Sequence, residues 1–236
     1  MPQPGERVMR KEGHVLQTIF LMMLFQTDAP AQTKDAAVYV ATYIDVQVSS
    51  TEQGTTLIRQ YREASRMEPG ISSIEVVQGI ARPNQFVIIE SWTDQSSFDA
   101  HERASHTVQF RDRLKAIHNS PFDQRVHRGF SVDQRPPAGR IAVIAVTHVD
   151  VPPPRTNETE LLLKSLADES RKDDGNTRYD VFQQSASRNH FTIVAAWRDR
   201  KTFDSYETKP HTRQSREALA PMLGAPYDER LYAPLN

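Results

Sequence analysis

A carboxylate on an otherwise apolar strand face is the residue best suited to chemistry in this chain of 236 residues. Phe86, Ile88, Glu90 and Trp92 are spaced two residues apart, so a β-strand would place all four side chains on one face. Burial disfavours the charged form of a carboxyl group and raises its pKa, which would suit Glu90 to act as a general base. A Glu90 that faces solvent at a strand end, or pairs with an arginine, is the open alternative.

Two histidines provide further candidate acid–base groups. His106, Phe110, Leu114 and Ile117 recur at spacings of four, four and three, which predicts one apolar helix face carrying a histidine. Such a histidine is often only a core residue with satisfied hydrogen bonds, and this alternative also stays open. His101 lies one short predicted helix earlier. The chain contains no HExxH motif, so we expect no metal site.

Composition excludes several other classes of function. The chain has no cysteine, which excludes thiol catalysis and a Cys-ligated metal. Its 29 Lys and Arg residues balance 30 Asp and Glu residues, so no basic excess is present to bind nucleic acid. The only tryptophans are Trp92 and Trp197. We expect both to be core anchors, with the lining of a ligand pocket as the alternative role.

The part of the chain that contains these candidate residues occurs twice in the sequence. A shift of 105 residues aligns 37–127 with 142–232 and produces 29 identities in 91 positions. A period this long indicates two duplicated domains, because solenoid repeats are about 20–50 residues long.

Comparison of the two copies separates chemistry from packing. Ala195 occupies the position of Glu90, so folding does not require this carboxylate, and we expect the first copy to be the active half.

Within each copy the hydrophobic pattern predicts the order β-α-β-β-α-β. In the first copy, strands are expected near residues 38–46, 72–80, 86–93 and 124–130, with a long helix over 105–118. This order is the ferredoxin-like arrangement, an antiparallel sheet with helices on one face. The other face is apolar and could be covered by the second copy. We therefore predict an α+β fold in which two ferredoxin-like units form a barrel within one chain.

The N-terminus has the features of an export signal, with positive Arg10 and Lys11 before the apolar run 15–25. Eleven apolar residues are too few to span a bilayer permanently, which takes roughly 20. Small residues then precede a cleavage site after Ala31. We predict a removed signal peptide and a periplasmic or secreted protein without a membrane anchor. A buried amphipathic helix is the alternative.

These features define the predicted domain boundaries. The expected organisation is a signal peptide at 1–31, a first domain at 36–130, a linker at 131–139 and a second domain at 140–236.

The stretch from Glu90 to His106 resembles the antibiotic biosynthesis monooxygenase superfamily. The similarity rests on the pattern E-x-W-x-[DS]-x-x-x-[FL]-x-x-H-x-x-x-x-H, which the first copy matches. The second copy keeps the tryptophan and the last histidine, with Tyr206 in place of His101. The resemblance implies a dimeric α+β barrel, which here would be a pseudo-dimer formed by one chain.

The resemblance also implies a function. It suggests cofactor-independent oxidation of a small quinol or dihydroxy-aromatic by O2, with Glu90 or His106 as the base and His101 steadying a peroxide anion. The expected pocket residues are Phe86, Trp92, Phe110, Trp197 and His211. The haem-degrading branch is disfavoured because the residues it requires are absent, beginning with an Asn on the first strand. The alternative is a non-catalytic periplasmic protein that binds a small hydrophobic ligand.

Overall fold

The structure is a computed structural model, and it describes Met1, residues 37–135 and residues 139–235. The predicted signal peptide falls outside the described residues, apart from Met1, and remains a prediction. Among the helices of the described ranges, none combines the length and the apolar character needed to cross a membrane.

Each copy contains four strands and three α-helices in corresponding places. The elements of the first copy are β1 (Val38–Asp45), α1 (Thr51–Ser65), β2 (Ile71–Gly79), β3 (Gln85–Trp92), α2 (Gln95–Arg103), α3 (Ser105–Leu114) and β4 (Asp123–Ser131). Those of the second copy are β5 (Val143–Asp150), α4 (Thr156–Ser170), β6 (Asn176–Gln184), β7 (His190–Trp197), α5 (Arg200–Glu207), α6 (Pro210–Leu219) and β8 (Asp228–Pro234). The predicted order of elements is confirmed.

The eight strands form one closed barrel in the order β1-β3-β2-β8-β5-β7-β6-β4. Two antiparallel seams join the copies. At one seam β2 pairs with β8, for example Val77 with Pro234, and at the other β4 pairs with β6, for example Gly129 with Phe182. The predicted barrel within one chain is therefore confirmed.

Alternation along the strands divides the side chains between two layers. One residue in two points into the barrel, where Val87 and Ile89 of β3 meet Ile144 and Val194 of the second copy. The intervening residues point outward beneath the helices, so that Ile88 packs against α1 and α3. The residues of the candidate site belong to this outer layer.

One ion pair links the two copies across the sheet. The guanidinium of Arg178 on β6 donates to both carboxylate oxygens of Glu75 on β2, at 2.6 and 3.0 Å. The side chains of Arg178 and Glu75 are 13% and 32% exposed. The corresponding residues are Ser73 and Asp180, so the pair occurs once and breaks the pseudo-symmetry of the repeat.

Two local features position the helices above β3. Gly70, which follows α1, has a φ of 84°, and a Cβ there would lie 2.2 Å from Ser97 Oγ, so only glycine fits. Asp94 caps α2 by accepting a hydrogen bond from the Ser97 amide at 2.8 Å. The extended Ala104 then separates α2 from α3.

The predicted helix over 105–118 ends four residues early, at Leu114. Beyond that residue the Ile117 amide donates to the carbonyl of Leu114, three residues earlier, instead of continuing the α-helical spacing of four.

Candidate active site

Glu90 lies on the outward face of β3 beneath the helices, with only 1% of its surface exposed. It shares this face with Phe86, Ile88 and Trp92, all of them buried as well. Burial raises the pKa of Glu90 to about 7, even though a hydrogen bond from Tyr61 favours the charged form. Glu90 thus occupies the buried position rather than facing solvent, and it titrates in the range useful to a general base.

A tyrosine from α1 connects Glu90 to the first histidine. The Tyr61 hydroxyl lies 2.9 Å from Glu90 Oε1 and 2.7 Å from His101 Nε2. The direct separation between Glu90 Oε1 and His101 Nε2 is 3.7 Å, too long for a hydrogen bond. Tyr61 therefore bridges the carboxyl group of β3 and the imidazole of α2.

A second carboxylate continues this path toward the surface. Glu68 Oε1, in the turn after α1, lies 2.6 Å from His101 Nδ1 and 2.9 Å from His106 Nε2. His101 is fully buried, and this desolvation lowers its pKa against the opposing effect of Glu68. The side chains of Glu68 and His106 are 17% and 28% exposed, so the path reaches solvent at this end.

Aromatic rings pack around the path. Trp92 lies 4.6 Å from the His101 ring, centroid to centroid, and Phe110 stacks on Tyr61 at 4.3 Å with an interplanar angle of 25°. Phe86 is buried in the same apolar cluster as Tyr61 and Phe110. The structure therefore brings six of the predicted site residues together around this path: Glu90, His101, His106, Phe86, Trp92 and Phe110.

The other two predicted residues, Trp197 and His211, lie in the second copy and do not join this cluster. Trp197 packs 4.7 Å from the Tyr206 ring, and His211 Nε2 contacts Asp173 Oδ2 at 3.0 Å. The Tyr206 hydroxyl lies 3.0 Å from that of Tyr179. Because Ala195, Leu166 and Tyr206 occupy the positions of Glu90, Tyr61 and His101, this copy has neither the carboxylate nor the histidine bridge of the first.

Sequence reasoning missed Tyr61 and Glu68. Glu90, Tyr61 and His101 become Ala195, Leu166 and Tyr206 in the second copy, so all three hydrogen-bonded residues differ between the copies. Since only 29 of the 91 aligned positions are identical, this difference alone does not single out Tyr61.

The hydrogen bonds define two proton arrangements. With Glu90 neutral, its hydroxyl can donate to Tyr61, Tyr61 to His101 Nε2, and His101 Nδ1–H to Glu68. With Glu90 ionised, Tyr61 donates to Glu90 and accepts from a protonated His101. A shift of two protons along the path converts one arrangement into the other and carries a proton from Glu90 to His101. Transfer of the His101 Nδ1 proton to Glu68 would then bring a proton to the surface.

Two polar atoms on the β3 face remain available to a ligand. Among the described residues, Glu90 Oε2 and Trp92 Nε1 are buried without a hydrogen-bond partner. Buried polar groups are normally hydrogen-bonded, so Glu90 Oε2 is free to accept a hydrogen bond from a ligand. Trp197 Nε1, the counterpart of Trp92 Nε1 in the second copy, lacks a partner in the same way. Since Glu90 is 1% exposed, both atoms on the β3 face are closed to solvent in this structure.

Comparison with known proteins identifies relatives of both copies. A family model described as antibiotic biosynthesis monooxygenase matches residues 37–113 and 142–218. The Bacillus subtilis strain 168 protein named "Putative monooxygenase YcnE" is 25% identical over 81 residues, which cover 34% of this chain and 85% of the relative.

Solved structures show the same fold over both copies. A "putative monooxygenase" from Fusobacterium nucleatum has a TM-score of 0.74 at 12% identity and covers 85% of this chain and 93% of its own. A "putative monooxygenase" from Lactobacillus acidophilus NCFM has a TM-score of 0.69 at 13% identity, with coverages of 85% and 95%. At these identities the likeness shows the fold alone.

Proposed function

Because the chain belongs to the antibiotic biosynthesis monooxygenase family, we propose that its first copy uses O2 to oxidise a small quinol or dihydroxy-aromatic without a cofactor. The second copy completes the barrel and carries no catalytic base. The substrate class and the independence from cofactors rest on family membership and on the chemistry of the residues around Glu90.

The observation that carries this proposal is the buried carboxyl of Glu90, joined through Tyr61 to His101 and found in one copy only. A pKa of about 7 allows Glu90 to take a proton from a phenol near neutral pH and to release it again. The same burial excludes water, which would otherwise intercept a reactive oxygen intermediate.

The proposed reaction begins when a phenolic hydroxyl of the substrate donates its proton to Glu90 Oε2. The phenolate then reduces O2 by one electron, and the resulting radical pair combines to form a C–O bond. His101 holds that proton through Tyr61 and returns it to Glu90, which protonates the peroxide. The hydrogen on the attacked carbon leaves as a proton when the O–O bond breaks, and it combines with the departing hydroxide. One oxygen atom stays in the substrate, which loses two hydrogens, and the other leaves as water.

An O2 electrode with a panel of quinols and dihydroxy-aromatics tests the activity, and labelling with 18O2 tests its type. We expect one labelled atom in the product and one in water. Glu90→Gln should lower turnover by about 10²-fold or more, as removal of a general base typically does. Complete absence of O2 consumption across the panel would refute the proposal and favour a ligand-binding protein.

We also propose that the mature protein acts outside the cytoplasm, because the sequence before Gln32 has the charge and apolar pattern of an export signal. The intact mass of protein recovered from its native host should correspond to a chain that begins near Gln32. A soluble protein that retains residues 1–31 would contradict this proposal.

A further inference from the structure

Two histidines and a glutamate converge at the outer end of the path from Glu90. The nearest ligand atoms of Glu68, His101 and His106 all lie within 4.8 Å of one another. We propose that these three side chains form a binding site for one divalent transition-metal ion of the Zn²⁺ class. The prediction that the chain has no metal site relied on HExxH spacing, whereas these ligands come from a turn and two separate helices.

The donor set favours this class of ion. Imidazole nitrogen suits Zn²⁺ and its neighbours in the first transition row, whereas Ca²⁺ and Mg²⁺ prefer oxygen ligands throughout. Two histidines and one carboxylate, with a further position left to water, form a recurrent Zn²⁺ ligand set. The side chains of His106 and Glu68 are 28% and 17% exposed, so an ion can arrive from solvent and keep a bound water.

The distances fit an ion after a small adjustment. Glu68 Oε1 is 2.6 Å from His101 Nδ1 and 2.9 Å from His106 Nε2. Around a tetrahedral ion with bonds of about 2.1 Å, neighbouring ligand atoms lie about 3.4 Å apart. The imidazoles therefore need to move away from the carboxylate by less than about 1 Å each. The two imidazole nitrogens, which lie within 4.8 Å of each other, also need to reach about the tetrahedral separation. The ion would replace the proton that His101 Nδ1 and Glu68 share in their hydrogen bond.

Hydrogen bonds behind the cluster support the site independently. A metal-bound histidine normally donates its second ring N–H to a polar neighbour, which holds the ring in place. His101 Nε2 already lies 2.7 Å from the Tyr61 hydroxyl, and this hydroxyl lies 2.9 Å from Glu90 Oε1. With an ion on Nδ1, His101 Nε2–H would donate to the Tyr61 hydroxyl, and Tyr61 would donate to the Glu90 carboxylate. Each donor along this path would then have an acceptor.

The second copy provides a natural comparison within the same chain. His211 and Asp173 repeat two of the ligands and lie 3.0 Å apart. The third position is Tyr206, whose hydroxyl bonds to Tyr179. Lys209 Nζ lies 3.7 Å from Asp173 and adds a positive charge that opposes a cation. We therefore expect one ion per chain, bound by the first copy.

An ion at this position would change the proposed catalysis. It would occupy His101 Nδ1 and close the route by which a proton leaves Glu90. Zn²⁺ should therefore inhibit O2 consumption, and a chelator should restore it. Binding itself does not depend on the proposed activity, so the two proposals can fail separately.

The test uses the full chain without an affinity tag, stripped with a chelator and titrated with Co²⁺. Binding is followed by visible d–d absorption, and calorimetry with Zn²⁺ measures the stoichiometry. His101→Tyr introduces the residue of the second copy, and His106→Ala removes a partly exposed ligand with little effect on the core. His211→Ala is the matched control, and thermal unfolding followed by circular dichroism verifies that each variant folds.

We expect one ion per chain. Affinity should fall by more than about 100-fold in His101→Tyr and His106→Ala, and by about 10- to 100-fold in Tyr61→Phe, which removes only the supporting hydrogen bond. His211→Ala should bind like the wild type. Absence of saturable binding would overturn the proposal. So would an affinity that survives both copy-one histidine variants, or one that His211→Ala lowers equally.

Discussion

Replacement of Glu90 by glutamine tests the central electrostatic inference without any knowledge of the substrate. Glutamine keeps the size of the side chain and its hydrogen bond to Tyr61 but cannot ionise. Burial raises the pKa of Glu90 from 4.5 to about 7 in the folded protein. Below pH 4.5 the group is neutral in both the folded and the unfolded chain, so it contributes no pH dependence there. Between these two values the unfolded chain ionises first, and wild-type stability falls as the pH rises.

The size of this effect follows from the two pKa values. A pKa of about 7 in the folded protein against 4.5 in the unfolded chain corresponds to about 3 kcal/mol when fully developed. Between about pH 5 and about pH 8 the expected part of this change is about 2–3 kcal/mol. The free energy of unfolding of Glu90→Gln should therefore rise by that amount relative to the wild type over this range. Above pH 7 the difference should level off.

Urea denaturation at several pH values, with a chelator present, measures this difference. Glu63→Gln is a suitable control because the Glu63 side chain is 58% exposed on the surface of α1. Its difference from the wild type should change little with pH. A Glu90→Gln difference that varies by less than about 0.5 kcal/mol would show that Glu90 titrates near its ordinary value. Glu90 would then be ionised at neutral pH and would not be a base poised near neutrality.

Three further substitutions test the path and the fold. Tyr61→Phe should lower kcat by about 10-fold or more in the O2 assay, because it breaks the proton route while keeping the packed ring; unchanged turnover would exclude a relay. His106→Ala should lower turnover, whereas His211→Ala should cost at most about 2-fold, since its copy has no base; equal losses would show that the wrong half has been assigned. Glu75→Gln should lower the free energy of unfolding by about 1–3 kcal/mol, because Arg178 loses its partner across the copies; a change near zero in urea denaturation would show that this pair is not stabilising.

The fold could be predicted from the sequence because the repeat presents the same pattern of elements twice. Each element predicted in one copy could be checked against the other, and the spacing of two placed Glu90 and Trp92 on one face of β3 as observed. The apolar second face of each sheet then required a cover, and the other copy provides it. Caps were less predictable. Asp94 caps its helix through its side chain, whereas Ser50 occupies a cap position without a side-chain hydrogen bond.

The hydrogen bonds within the candidate site could not be predicted in this way. Tyr61 meets Glu90 across 29 residues of chain, and Glu68 meets His101 across 33. Helical periodicity places Tyr61 on the buried face of α1, but its hydroxyl partner depends on where α1 crosses the sheet. The turn at Gly70 determines the position of Glu68. Contacts that depend on how two elements pack together are not marked by any recurrent residue spacing in the sequence.

Because both seams of the barrel lie within one chain, the barrel should remain assembled at low protein concentration. A sheet from one copy alone would expose an apolar face and the unpaired backbone groups of its edge strands, which invite aggregation. Covalent linkage makes the pairing of β2 with β8 and of β4 with β6 intramolecular, with an effective concentration that does not depend on how much protein is present. The barrel therefore persists in a single molecule, where a barrel made of two separate chains would dissociate.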